Sequence, residues 1–172
     1  MMKLLESKTH IQMNEFPMDA IDLALLSQLQ ADATLSNQDL AAAVQVSPPT
    51  ALRRVRRLHE AGLIERQVAV LNADRLGALL GHGLTALAEV SLDRQDAAAL
   101  DAFEARAVAD DAVQQCYRVS PGPDFVLVLT VADMPGYHAL AQRLFNSDAN
   151  VRNVKAFFSV KRAKFDTRVV LG

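Results

Sequence analysis

The run FVLVLTV, Phe125 to Val131, constrains the fold most. Both of its alternating sets of side chains are apolar. As a strand it has two faces to cover, the pattern of a strand in the middle of a sheet. The turn signal PGPD precedes it, and the strand AVQQCYRVS precedes the turn. Leu84 to Leu92 alternates and reads as another strand. Asp96 to Ala109 reads as a helix, with Ala97, Leu100, Phe103 and Ala107 at helical spacing. Asp133 caps a second helix with Tyr137, Leu140, Ala141 and Leu144 in line, and VRNVKAFFSV is the last strand. The order β-α-β-β-α-β predicts a ferredoxin-like sandwich, one sheet with both helices on one face. The other face is left open. Phe157 lies out of phase with Ala156, Phe158 and Val160, so the last strand carries an aromatic on each face. An exposed apolar sheet face marks an association surface, and this one predicts a dimer.

Residues 1–17 show no clear period, and from Met18 to Ile64 the period is helical. Asp19 can cap a helix running to about Ala31, with Ile21, Leu25, Leu26 and Leu29 as its apolar stripe. SNQD, Ser36 to Asp39, has capping-box spacing and opens a short helix carrying Leu40, Ala41 and Val44. After VQV, Ser47 is a further cap, with Pro48 at the first helical position, where a missing N–H costs nothing. That helix runs to about Ala61 and stops at Gly62. The last two helices form a helix-turn-helix. Arg66 to Leu71 is expected as a short strand, and NADRLGALLGHG as a glycine-rich loop at the domain boundary. The expected organisation is α+β: a flexible arm over 1–17, a winged-helix-like helix-turn-helix domain over 18–65, a strand and hinge over 66–83, and the ferredoxin-like domain over 84–172.

Four arginines, Arg53, Arg54, Arg56 and Arg57, stand together on a chain of formal net charge −2. Residues 1–66 hold seven Lys and Arg against eight Asp and Glu, so the positive charge is a patch and not a basic domain. At roughly 100° per residue, Ala51, Leu52, Val55 and Leu58 gather on one side of the helix. Arg53 and Arg57 then sit opposite, with Thr50 beside them and Arg54 and Arg56 flanking. The second helix of a helix-turn-helix is the one such folds lay in the major groove. Arginine suits that place, because its fork grips a phosphate or the O6/N7 edge of guanine. Ser47, Pro48, Pro49 and Thr50 complete the expected DNA face, with Ser47 and the first helical N–H groups as phosphate donors. Which arginines read bases and which hold phosphates stays open. Arg56 has Glu60 four residues on and can form a weak surface pair.

The chain has 172 residues, 51% of them hydrophobic, which places it among globular proteins. One cysteine, Cys116, excludes an internal disulfide framework and fits a reducing compartment; it reads as an ordinary buried strand residue. Residues 1–16, with Glu6 and Glu15 and no uninterrupted apolar run, are not expected to act as a signal peptide, and no segment reaches the about 18 apolar residues of a membrane span. The expected location is the cytoplasm. His10, His59, His82 and His138 lack metal-ligand spacing, and no catalytic residue, cofactor or metal is assigned.

Taken together, residues 18–64 resemble the DNA-binding domain of the Lrp/AsnC (feast/famine) transcription regulators. The stretches AVLNADRLG, CYRVSPGPDFVLVLTVADMPGYHAL and VRNVKAFFSVKRAKFDTRVVL resemble that family's effector domain. The resemblance implies a regulator that binds promoter DNA, dimerises through the ferredoxin-like domain, and in many members assembles into octamers of four dimers. It implies an amino acid or related metabolite bound between subunits. By that match the effector positions are Ser120, Pro121, Gly122, Pro123, Asp124, Met134, Phe157, Phe158 and Ser159. Three departures stand out. Pro49 and Thr50 shift the proline pattern at the helix start. Gln45 holds the turn position where the family has Gly. The effector loop has Pro121 and Pro123 and lacks the family's first acid, so it has fewer backbone donors and one carboxylate fewer for an amino-acid ligand. Two rival readings share the architecture: an enzyme of the siroheme-decarboxylase type, and an effector-domain protein without DNA binding. The segment after the effector-type turn has no histidine to handle a porphyrin, and the arginine face suits DNA.

Overall fold

The computed structural model describes residues 16–81 and 83–171. The expected arm, up to residue 15, lies outside that range, as do His10 and His82. The chain forms two compact units, one running up to Ala69 and resuming at Phe165, the other spanning Val70–Lys164. The division falls between Ala69 and Val70, and the tail from Phe165 on, expected with the ferredoxin-like domain, belongs to the first unit. Gln30 explains the difference: its side-chain amide donates to Val169 O at 3.1 Å and its Oε1 accepts the Val169 N–H at 2.7 Å, so the tail packs with the N-terminal unit.

The N-terminal unit holds α1 (Ala20–Ala31), α2 (Asn37–Ala43) and α3 (Pro48–Glu60). Asp19 caps α1 through the N–H groups of Ile21 and Asp22, each at 3.0 Å, and the Asp22 carboxylate returns to the Asp19 N–H at 3.2 Å. In the cap of α2, Ser36 Oγ accepts the Asp39 N–H and donates to the Asp39 carboxylate at 2.6 Å. Leu25, Leu40, Ala41, Ala51 and Leu58 form the core, with Ile21, Leu26, Leu29, Val44 and Val55 packed around it. Both α2 and α3 end in a Schellman motif. Val46 N–H reaches back to Ala41 O and Gln45 N–H to Ala42 O; Leu63 N–H reaches Leu58 O and Gly62 N–H reaches His59 O. The left-handed residue is Gly62 in one and Gln45 in the other, with φ of 70° and 57°. A side chain at Gln45 costs on the order of 1 kcal/mol there. Gln45→Gly is therefore expected to stabilise the fold by up to about that much, read as a higher urea midpoint with the slope unchanged. A lower midpoint would mean that the loss of chain stiffness outweighs the relieved strain.

In the second unit, a helix stands where a loop is expected: α4 (Ala73–Leu80), capped by Asn72 Oδ1 on the Arg75 N–H at 3.0 Å and closed by left-handed Gly81. The strand expected over Arg66–Leu71 does not form. That segment pairs with no strand among the described residues and exposes Val68, Val70 and Leu71. A strand needs a ladder partner, which periodicity alone cannot supply.

The sandwich itself follows the expected order, β1 (Leu84–Leu92), α5 (Ala97–Val108), β2 (Val113–Arg118), β3 (Phe125–Val131), α6 (Met134–Ala141) and β4 (Val151–Phe158). A π turn, Gln142–Asn146, extends α6. The sheet is fully antiparallel in the order β2-β3-β1-β4, so the doubly apolar strand is internal, as its sequence requires. Ala86, Val90, Leu92, Phe103, Phe125, Leu127, Leu129 and Leu140 are fully buried between sheet and helices. On the other face the register lines up Gln115, Val128, Leu87 and Phe157 in one row, and Tyr117, Val126, Glu89 and Lys155 in the next. Phe157 is 54% exposed there.

Candidate nucleic-acid interface

The four arginines of α3 do not share one environment. Asp22, on the buried side of α1, is fully buried, and both of its oxygens carry guanidinium partners. Arg54 Nη1 donates to Oδ1 at 2.9 Å and Arg57 Nη2 donates to Oδ2 at 2.5 Å. Arg54 Nη1 also donates to the Asp19 carboxylate at 2.8 Å. The Arg57 guanidinium lies over the Phe16 ring, 4.8 Å from its centroid. Arg53 is exposed and has no ion-pair partner among the described residues. Arg56 is exposed and meets Glu60 at 3.5 Å, the expected surface pair.

This corrects the expected faces of α3. Leu52, expected within the buried stripe, is 60% exposed, and Arg57, expected opposite the stripe, turns toward α1. The buried side is centred on Ala51, Val55 and Leu58, and α1 covers the flank that carries Arg54 and Arg57. Their acids lie 32 and 35 residues away, beyond any search at helical spacing. One signal was present: Asp22 falls in phase with Leu25 and Leu29, and a carboxylate within an apolar stripe requires a buried cation.

Charge follows geometry. The Asp22 N–H first, and Arg54 second, hold the Asp19 carboxyl below its ordinary 3.8. Asp19, then Asp22, push the Arg54 guanidinium up. A carboxyl lowered on folding stabilises fully above its unfolded pKa. That contribution is lost as pH falls through the lowered value.

At the start of α3, Pro48 occupies the first helical position as expected. Ser47 has the backbone of a cap, but its hydroxyl is 2.8 Å from the Thr50 hydroxyl and bonds no backbone N–H. The expected phosphate site at the first N–H groups is reduced for a simple reason. Pro48 and Pro49 have no N–H, and that of Ala51 is bonded to Ser47 O, which leaves Thr50.

The nominated effector residues fall into two groups at opposite ends of the sheet. Ser120 to Asp124 lie where β3 starts, beside the end of β1. There Asp124 Oδ2 accepts the Leu92 N–H at 2.6 Å, and the Asp124 N–H donates to Val90 O at 2.8 Å. Met134, Phe157, Phe158 and Ser159 lie where β3 ends. Ala86 pairs with Phe158, Ser159 N–H donates to Thr85 O, and Phe158 packs edge-on against Tyr137 with centroids 4.9 Å apart. Strand β3 separates the groups by about 20 Å at roughly 3.4 Å per residue. One chain does not bring them together. Phe158 is 37% exposed at the sheet's edge, and Cys116, expected buried, is half-buried. Burial first, then Glu104, raise the Cys116 thiol, which keeps it unreactive.

A cleft of about 650 Å³, lined among others by Asp110, Thr130, Gly136 and Arg143, contains none of the nominated residues. Arg143 Nε donates to Asp110 there at 2.5 Å. Among the described residues no group of three or more His, Cys, Asp or Glu is placed to hold a metal, and no helix is long and apolar enough to cross a membrane.

A helix-turn-helix with a cationic exposed face, joined to a ferredoxin-like domain, defines a DNA-binding protein with an appended sensory-type domain. Comparison with known proteins agrees. Residues 18–65 match the model of a winged helix-turn-helix DNA-binding domain, and residues 85–169 match the Lrp/AsnC ligand binding domain. The leucine-responsive regulatory protein of Rhizobium meliloti is 35% identical over 147 residues, covering 86% of this chain and 92% of that protein. The Bkd operon transcriptional regulator of Pseudomonas aeruginosa is 33% identical, covering 84% and 92%. Among solved structures, an AsnC family transcriptional regulator from Agrobacterium tumefaciens superposes with a TM-score of 0.79 at 28% identity, covering 90% and 97%. A transcriptional regulator from Neisseria meningitidis in complex with L-Met does so at 0.78 and 27%, with the same coverage. The chain belongs to the Lrp/AsnC family of transcriptional regulators.

Proposed function

We propose that this regulator works in the cytoplasm, meets promoter DNA through the exposed face of α3, and is modulated by an amino acid or related metabolite without catalysing a reaction. The observation that carries the DNA reading is the solvent-facing pair Arg53 and Arg56 on the second helix of the helix-turn-helix. Thr50, Pro49 and Ser47 lie at the start of the same helix. Exposed Leu52 offers an apolar contact for a thymine methyl. The apolar row Val128, Leu87 and Phe157 supports dimerisation through the open sheet face, and the dimers assemble further into octamers. A second subunit is also what the effector residues need, because their two groups lie at opposite ends of one sheet. The loop with Pro121 and Pro123, and with Asp124 engaged by Leu92, favours a ligand other than the family's usual amino acids.

The test is fluorescence anisotropy on a labelled fragment upstream of the chain's own gene, across salt concentrations and with a panel of amino acids. The expected result is saturable, salt-sensitive binding that outcompetes random DNA and shifts with at least one ligand. Tight siroheme binding with no preference for any promoter fragment would overturn this reading in favour of the enzyme.

A further inference from the structure

We propose that Asp22 is the positioning residue of the DNA interface: it withdraws Arg54 and Arg57 from the duplex and fixes α3 on α1, so that Arg53 and Arg56 alone of the four arginines meet DNA. The inference rests on the reading that α3 is the recognition helix. The Asp22 carboxylate has no solvent exposure, and the two guanidiniums are the cations that face it in place of water. Each oxygen of Asp22 takes one of them, and Oδ2 also accepts the Asp19 N–H at the start of α1. Each arginine has a second anchor, Asp19 for Arg54 and the Phe16 ring for Arg57. The Nε atoms of both arginines are buried and have no hydrogen-bond partner among the described residues. The Nε groups therefore face into the protein, although the Arg57 side chain keeps 38% of its exposure against 18% for Arg54. Asp22 consequently sets how many cations the helix presents. Releasing both arginines would double the cationic count of the face and loosen the angle at which Arg53 and Arg56 approach the groove.

The salt dependence of DNA binding reads that count, because each phosphate contact adds about 0.9 to the slope of log affinity against log salt. The experiment measures this slope on the promoter fragment and on a random duplex. It uses the full-length chain, Asp22→Asn, Arg54→Gln, Arg57→Gln and the double variant Asp22→Asn with Arg54→Gln. Circular dichroism checks the fold of each. Asp22→Asn is expected to steepen the slope by about 1 to 2, to tighten binding to random duplex and to lower the promoter-to-random ratio. Arg54→Gln and Arg57→Gln, which keep a donor for Asp22, are expected to leave the slope of the parent chain unchanged. In the Asp22→Asn background, Arg54→Gln is expected to take back about 1 of the gain. A purely structural Asp22 would weaken both duplexes and steepen neither.

A parent slope flattened by about 1 in Arg54→Gln or Arg57→Gln would place those arginines on DNA already and overturn the proposal. So would a folded Asp22→Asn with an unchanged slope. Should Asp22→Asn fail to fold, the two single glutamine variants decide the matter. Salt-dependent binding of random duplex without promoter preference would overturn the specific regulator and leave the role of Asp22 standing. Failure of the folded parent chain to bind any duplex would overturn both.

Discussion

Replacing Arg53 and Arg56 together by glutamine is expected to lower promoter affinity on the order of a hundredfold or more while the fold stays intact. The size follows from what an exposed guanidinium does in a groove. A bidentate contact to guanine discriminates by about 1–3 kcal/mol, and two such contacts multiply to that loss. If both arginines hold phosphates instead, the loss is smaller at low salt and the slope of log affinity against log salt flattens by about 2. The measurement separates these cases. Loss confined to the promoter fragment means base reading. Equal loss on promoter and random duplex, with the flatter slope, means phosphate contact. Stability should barely respond. Arg53 has no ion-pair partner among the described residues, and the exposed pair Arg56–Glu60 at 3.5 Å contributes a few tenths of a kcal/mol. The pair favoured by helical periodicity, Arg53 and Arg57, would be a poorer test. Truncating Arg57 to alanine, unlike the glutamine exchange, leaves buried Asp22 without that donor, so lost binding would mix with a weakened fold. Undiminished binding of the Arg53/Arg56 variant would move the DNA site off α3.

The readable part of this chain is the local part. Asp19, Ser36, Asp96 and Asp133 cap helices because a short side chain reaches an N–H two or three residues on, and that reach is written in the spacing. The internal place of β3 follows from its doubly apolar run. The left-handed turn at Gln45 follows from the family pattern, and the chain adopts it without glycine. What could not be read depends on distance or on a partner. A stripe of four residues leaves its centre uncertain by about one residue, or roughly 100°. That is enough to put Leu52 inside and Arg57 outside, the reverse of what folding does. Only the docking of α1 resolves it. In α4, Gly77 suggests a loop, but an internal glycine costs only about 1 kcal/mol, and the Asn72 cap and Gly81 stop define a helix around it. The segment Arg66–Leu71 alternates like a strand and has no ladder to join. The nominated effector positions come one by one from the family resemblance, and their separation by the length of β3 appears only with the register.

The second large effect belongs to the sandwich. Phe103→Ala is expected to destabilise this unit by about 3–5 kcal/mol, the range for emptying a buried phenylalanine site. Its ring packs 4.8 Å from that of Phe125, and both are fully buried between α5 and the sheet. In a domain of this size each kcal/mol moves Tm by about 4–8 °C, so a fall of more than 10 °C is expected by calorimetry. The consequence reaches the opposite face of the sheet. Phe125, Leu127 and Leu129 point into the core, while Val126 and Val128, between them on the same strand, line the open face beside Leu87 and Phe157. A strand cannot loosen on one side only. Phe103→Ala should therefore weaken self-association in sedimentation along with stability. Leu87→Ser, on the open face and 43% exposed, should weaken association while the monomer's Tm stays nearly where it was. Weak, salt-sensitive binding to random duplex should survive in both, because the arginines of α3 are held by α1 within the other unit. If Leu87→Ser leaves the oligomer intact, the chains associate through some other surface. The two groups of nominated effector residues would then have to meet by a different route than the open sheet.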